Sequence, residues 1–272
     1  MLGHCICPLK KNKNYQMKRI LIVLLFVGSF SAIAQNTSIA AGEKLVFSAN
    51  YNMSGLLTEI AQVTMETKTV KTSNATLLHL KCSAATYSKW DNFFKIRDLY
   101  ESYVSPKTLT PYLYKRDINE GGYYKFNQYT YSHKAKTVKF LTKKRDNFQK
   151  NETLKIGANT KDIVATLYNI RNIDFNTFNP GQTKNFTVLF DDKEVVINVK
   201  YISKEYMSTN IGKKECYKLA LSLRNSDVLK GGTADNMIWL TADGNKVPVY
   251  AKFKIPVGNG ELKIKSATGL KN

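Results

Sequence analysis

The stretch Asp162-Ile163-Val164-Ala165-Thr166-Leu167-Tyr168-Asn169-Ile170-Arg171 is the one run in this chain whose apolar residues recur at helical spacing. Ile163, Leu167 and Ile170, with Val164, Tyr168 and Arg171 beside them, predict a helix with one broad apolar face that ends in a cation. Such a face has to be buried. Asn159 and Thr160 can cap its start, Asp162 suits the positive pole of the first turn, and Arg171 suits the opposite pole.

Everything around that stretch alternates with period two. Leu45, Phe47, Ala49 and Tyr51 turn at Asn52–Gly55 into a run through Ala61, Val63 and Met65. Strands are then expected at Thr76–Ser83, Lys95–Val104, Tyr112–Arg116, Tyr123–Ser132 and Thr137–Leu141. After the helix the alternation returns in Phe186–Phe190 and Val195–Tyr201. It ends in a run from Val247 to Val257 that pairs naturally with Met237–Ala242 and Glu261–Lys265. One dry and one wet face over about a dozen strands implies a mainly β fold. The expected form is a single antiparallel, strongly curved sheet, a barrel or half-barrel, with the amphipathic helix packed on or in it.

Met17-Lys18-Arg19 followed by the apolar run Ile20–Ile33 has the pattern of a secretory signal peptide, too short to span a bilayer comfortably. Cleavage is expected after Ala34, and Met17 is a candidate true start; the residues before it read either as a misassigned upstream start or as a long leader. Lipidation would need a cysteine directly after the small residues, where Gln35 stands. Residues 1–34 therefore read as leader and 35–272 as one β domain, periplasmic or secreted, with no transmembrane segment in the mature chain. The whole chain carries 41 basic and 21 acidic residues, a net +20. Removing the leader takes away Lys10, Lys11, Lys13, Lys18, Arg19 and no acid, which leaves 36 bases against 21 acids and +15.

Only Cys82 and Cys216 remain beyond the leader. A disulfide between them is possible in an oxidising compartment. The alternation argues against it, because Cys82 shares a face with Leu78 and Leu80 while Cys216 alternates with Tyr217, Leu219 and Leu221.

Several strings resemble a bacterial exported family, domain of unknown function 3108. They are Gly42-Glu43-Lys44-Leu45, Arg97-Asp98-Leu99-Tyr100-Glu101-Ser102 followed by Leu109-Thr110-Pro111, the helix Asp162–Arg171, and Trp239 with Asp243 and Pro248-Val249. The resemblance implies an exported, mostly β fold of uncharacterised activity.

Reactive side chains are scarce. His79 and His133 lie outside any metal or catalytic spacing, there is no G-x-S-x-G and no glycine-rich phosphate loop, and no cofactor or metal is expected. Asp98 shares a face with Ile96 and Tyr100 and points inward; an ion pair between Asp98 and Arg171, tying helix to sheet, explains it more simply than catalysis. Residues 125–161 hold ten basic and two acidic residues, with Lys143, Lys144 and Arg145 adjacent. In an exported protein this basic stretch points to an anionic envelope surface rather than to nucleic acid, or to a lysine-rich sheet edge that resists aggregation. The expected function is non-enzymatic binding of a lipid or other amphiphile in an apolar cleft, with Tyr100, Tyr168 and Trp239 as candidate ligand contacts. The alternative is a glycan-binding or glycan-hydrolysing protein, which would need exposed aromatics and two carboxylates ~5–10 Å apart.

Overall fold

A computed structural model describes residues 35–53, 55–224, 235–255 and 258–272. The leader, Met17 and the expected cleavage site lie outside the described residues. Fourteen strands form one antiparallel sheet that does not close. In chain order they are β1 (Lys44–Met53), β2 (Leu56–Lys71), β3 (Thr76–Thr86), β4 (Arg97–Val104), β5 (Pro111–Glu120), β6 (Tyr123–Ser132), β7 (Thr137–Lys144) and β8 (Gln149–Lys155). The helix α1 (Ile163–Ile170) follows, then β9 (Thr183–Phe190), β10 (Lys193–Thr209), β11 (Gly212–Arg224), β12 (Met237–Thr241), β13 (Pro248–Ile255) and β14 (Gly258–Thr268).

Across the sheet the order runs from β8 back to β1, then from β14 down to β9, so β1 and β14 join two runs of hairpins. All neighbours being antiparallel, the β3–β4, β5–β6, β7–β8 and β9–β10 connections gather at one end of the sheet, here called the rim, together with the end of β1, the start of β2, the end of β13 and the start of β14. The connections β2–β3, β4–β5, β10–β11 and β12–β13 gather at the other end, here called the base. The edges β8 and β9 do not pair. Between them runs the segment 156–162, whose Lys161 makes a parallel bridge to Val188 on β9.

The helix sits inside this half-barrel, against β3, β4 and β9. Its N-cap is Asp162, whose carboxylate accepts the Ala165 N–H at 2.7 Å. Asn159 and Thr160, the expected caps, lie further back; Thr160 instead donates to Glu194. Six of the eight helical residues are buried, including Thr166 and Asn169; the two that are only half-buried are Ile163 and Leu167, so the face that the sequence pattern picks out is the less enclosed one. Val164, Ala165 and Tyr168 pack into a core shared with Leu45, Leu80 and Val104, while Ile170 joins a second core with Val188, Leu219 and Ile238. Fully burying side chains of this size is worth ~1.5–3 kcal/mol each, and the helix supplies several of them at the meeting point of two cores.

Two strands depart from expectation. β12 is buried along its whole length: Met237 and Trp239 belong to the first core, Ile238 and Leu240 to the second, so this strand has no wet face. β8, absent from the sequence reading, is an edge strand whose side chains are mostly exposed, and its pairing with β7 rather than any apolar alternation holds it.

The expected Asp98–Arg171 ion pair does not form. Arg171 makes a bidentate pair with Glu43, with both N–O distances 2.6 Å and both side chains fully buried. Asp98 lies at the rim end of β4, while the end of α1 lies at the base beside the start of β1. Cys82 and Cys216 are both free thiols.

Candidate functional site

The inward positions of the first eight strands form rows across the sheet. One row is apolar, with Tyr114 beside Tyr129 and Phe140. The next row toward the rim is polar: Tyr100, Arg116, Asn127 and Thr142 stand side by side on β4, β5, β6 and β7. Each of these positions continues an inward apolar alternation, Tyr114 before Arg116, Tyr129 before Asn127 and Phe140 before Thr142. Burial is thus fixed by neighbours in the same strands. Arg116 and Thr142 are 6 % exposed and Asn127 is fully buried.

Into this row the β9–β10 turn inserts Asp191. Its Oδ1 accepts from the Arg116 guanidinium, from Lys125 Nζ at 2.7 Å and from Asn127 Nδ2 at 2.9 Å. Burial opposes its ionisation, but the Lys125 bond and the Arg116 charge win and hold the carboxyl below its usual range. The guanidinium also lies 4.7 Å from the Phe190 ring. Three polar atoms in the row have no hydrogen-bond partner among the described residues: Arg116 Nε, Asn127 Oδ1 and Thr142 Oγ1. Buried polar atoms are nearly always paired, so three orphans in one row set this place apart.

Asp98 stands next to that row. It accepts the Asn119 N–H at 2.9 Å, and burial together with the nearby Glu120 carboxyl pushes its pKa up to about 7. Asp162 is another buried acid, raised to about 6 by burial despite bonds from Ala165 N–H and the Ser102 hydroxyl. It serves as a helix cap.

The three candidate ligand contacts do not share a cavity. Tyr100 is half-buried beside Arg116. Tyr168 is fully buried under Arg171, its ring 5.5 Å from the guanidinium. Trp239 is buried, donates to Glu205 at 2.6 Å and packs on Tyr250 with ring centres 4.9 Å apart. Two depressions, of about 410 and 280 Å³, open on the surface, and neither helix residues nor these three side chains line them. On the sheet side the helix residues Val164, Ala165 and Tyr168 pack directly into the core. Alternation could have revealed the polar row, since a cation, an amide and a hydroxyl stand where the inward pattern calls for apolar residues.

The basic residues Lys143, Lys144 and Arg145 are exposed at the end of β7 and in the β7–β8 turn, on the rim. Around them the rim is apolar. Phe93 and Phe94 in the β3–β4 connection, Tyr123 at the start of β6, Phe148 before β8, and Leu56 and Leu57 at the start of β2 are all exposed. The tips adjoin. Gly121, with φ +50°, leaves room for Phe94, whose ring would lie 2.5 Å from any Cβ there, and the Arg145 guanidinium lies 3.8 Å from the corresponding point on Gly122.

An open antiparallel half-barrel around a buried helix defines a class of β-barrel-like proteins. The chain belongs to the family described as Protein of unknown function (DUF3108), whose model matches residues 46–265. Among solved structures it is similar to a beta-barrel-like protein of domain of unknown function DUF1849 from Brucella abortus. That likeness has 8 % identity and a TM-score of 0.55, over 85 % of this chain and 98 % of that one, and it shows the fold. Two further likenesses have TM-scores of 0.33 at 10 % identity. One is to a protein taken to be exported, with a YmcC-like fold, from Bacteroides fragilis (86 % of this chain, 99 % of that one). The other is to a protein taken to be a lipoprotein from Parabacteroides distasonis (86 % and 98 %). Neither of these two carries weight for fold or function. No curated protein matches the chain. Among the described residues no helix is long and apolar enough to cross a membrane.

Proposed function

We propose that this is a non-enzymatic protein of the cell envelope, exported after removal of a leader ending near Ala34, that engages lipid at its rim rather than inside its sheet. The observation that carries the reading is the placement of exposed apolar side chains. Of nine large exposed ones among the described residues, six (Leu56, Leu57, Phe93, Phe94, Tyr123 and Phe148) collect at one end of the sheet. Lys89, Lys95, Lys143, Lys144 and Arg145 are exposed among them. Apolar tips set among cations suit an anionic lipid surface, where each base contributes ~1 kcal/mol and each buried ring adds more. The strength expected is that of reversible attachment, weakened by salt.

Co-sedimentation of residues 35–272 with vesicles tests this. Binding is expected to vesicles containing phosphatidylglycerol, to be weak on phosphatidylcholine alone, and to fall about tenfold or more in a Phe93→Ser, Phe148→Ser double variant. Equal sedimentation of that variant and the parent protein would overturn the proposal.

A further inference from the structure

The Asp191 carboxylate uses the polar row incompletely. All three donors converge on Oδ1, while two further potential donors of the same row, Arg116 Nε and the Thr142 hydroxyl, have no partner among the described residues. A cradle of one guanidinium and one carboxamide, both more than nine-tenths buried, with one half-buried ammonium beside them, offers more donors than a carboxylate needs. A tetrahedral oxyanion has the oxygens to use them, and a guanidinium fork matches two of those oxygens at once.

Asp191 is also the one member of the cluster that can leave. Its side chain is 37 % exposed, against 7 % for Arg116 and 16 % for Lys125. It stands at φ +53° in a two-residue turn between two edge-proximal strands. The turn hangs at the rim, where a ligand would arrive.

We infer that Arg116, Lys125 and Asn127 form a binding site for a phosphate-type oxyanion, and that Asp191 is its built-in occupant, displaced when the β9–β10 turn swings outward. Thr142, in register with Asn127, supplies a hydroxyl to the same ligand. The neighbouring Asp98 does not repel it, because that carboxyl holds a proton up to about pH 7. The oxyanion has two chemical sources, free phosphate or the phosphate of a lipid head group, and the site does not depend on whether the rim docks on membrane.

The test compares the parent protein with Asp191→Asn, which removes the competing charge and keeps the turn, and with Asp192→Asn, which removes the same charge from the exposed neighbour. Inorganic phosphate is titrated by calorimetry, and phosphatidic-acid vesicles by co-sedimentation. Asp191→Asn is expected to bind at least one probe about tenfold tighter than the parent, Asp192→Asn to match the parent, and Lys125→Gln added to Asp191→Asn to abolish the gain. A gain with phosphate assigns a soluble ligand, and a gain with vesicles alone assigns a lipid head group. Equal affinities of Asp191→Asn and Asp192→Asn for both probes would overturn the inference, whatever the rim variants do. Circular dichroism confirms that each variant is folded before its affinity is read.

Discussion

Two buried arginines mark the two ends of this molecule, and they are treated differently. At the base, Arg171 gives one N–H to each oxygen of Glu43 and two more to the Asn245 carbonyl, at 3.2 and 3.0 Å. The chain ends close over it: Asn245 donates to the Asn272 carbonyl, and the Ser38 hydroxyl donates to the carbonyl of Arg171 itself. At the rim, Arg116 meets a carboxylate that is more than a third exposed, and its Nε has no partner among the described residues. A charge whose every nitrogen is hydrogen-bonded and that has no route to water holds a fold together. One that is satisfied in part, beside an opening, is available to something else.

The largest effect expected follows at the base. Arg171→Ala leaves Glu43 buried without a counter-charge and should cost ~3–5 kcal/mol in denaturant unfolding. Glu43→Leu should cost a similar amount by stranding the guanidinium. The double variant Arg171→Met, Glu43→Leu should recover much of the loss, because two apolar groups need no partner. Additive losses in the double variant would mean that packing, and not the charge pair, holds this end.

Next in size is the effect of Asp98. Its ordinary pKa is 3.8 and the folded protein raises it to about 7, chiefly by burial, so the native state binds this proton more tightly than the unfolded chain does. The resulting stabilisation is fully present below pH 3.8 and is lost as pH rises through 7. Asp162, raised to about 6, adds a loss of the same sign. Asp98→Asn, which can still accept the Asn119 N–H, should flatten that part of the profile and exceed the parent in stability by ~2 kcal/mol at pH 8. Parallel pH profiles for the two proteins between pH 4 and 8 would show that the rim solvates its acids after all.

The same contrast explains what could be read before any coordinates. The helix and most strands were legible because their evidence is local: Ile163, Leu167 and Ile170 recur within one turn of each other, and Leu45, Phe47 and Ala49 within one strand. β8 was not, because Gln149–Lys155 is an exposed edge and carries no apolar alternation. The partner of Arg171 was not, because Glu43 lies 128 residues away and Asp98 is an equally inward acid; which of them meets the helix end depends on which end of the sheet each occupies. Arg116 was within reach, as a cation between Tyr114 and Ile118 on an inward alternation. Its partner Asp191 was not, since the contact crosses from a turn on one side of the unpaired edges to the inner face of the other. The family resemblance named the fold correctly, and the site had to come from geometry.

The smallest effect is the one that sharpens the comparison most. Arg116→Met keeps an unbranched apolar stem and removes the guanidinium, and with it the charge and the contact on the Phe190 ring. Asp191 then retains Lys125 and Asn127 and can turn toward water, so the loss of stability should be ~1 kcal/mol, near the range of partly exposed pairs. A loss as large as that of Arg171→Ala would make the Asp191 turn a structural clasp across the open edges, and the rim would be sealed like the base. A small loss with an unchanged denaturant slope leaves the half-barrel intact without its clasp, which is the condition for the turn to open on a ligand without unfolding the sheet around it.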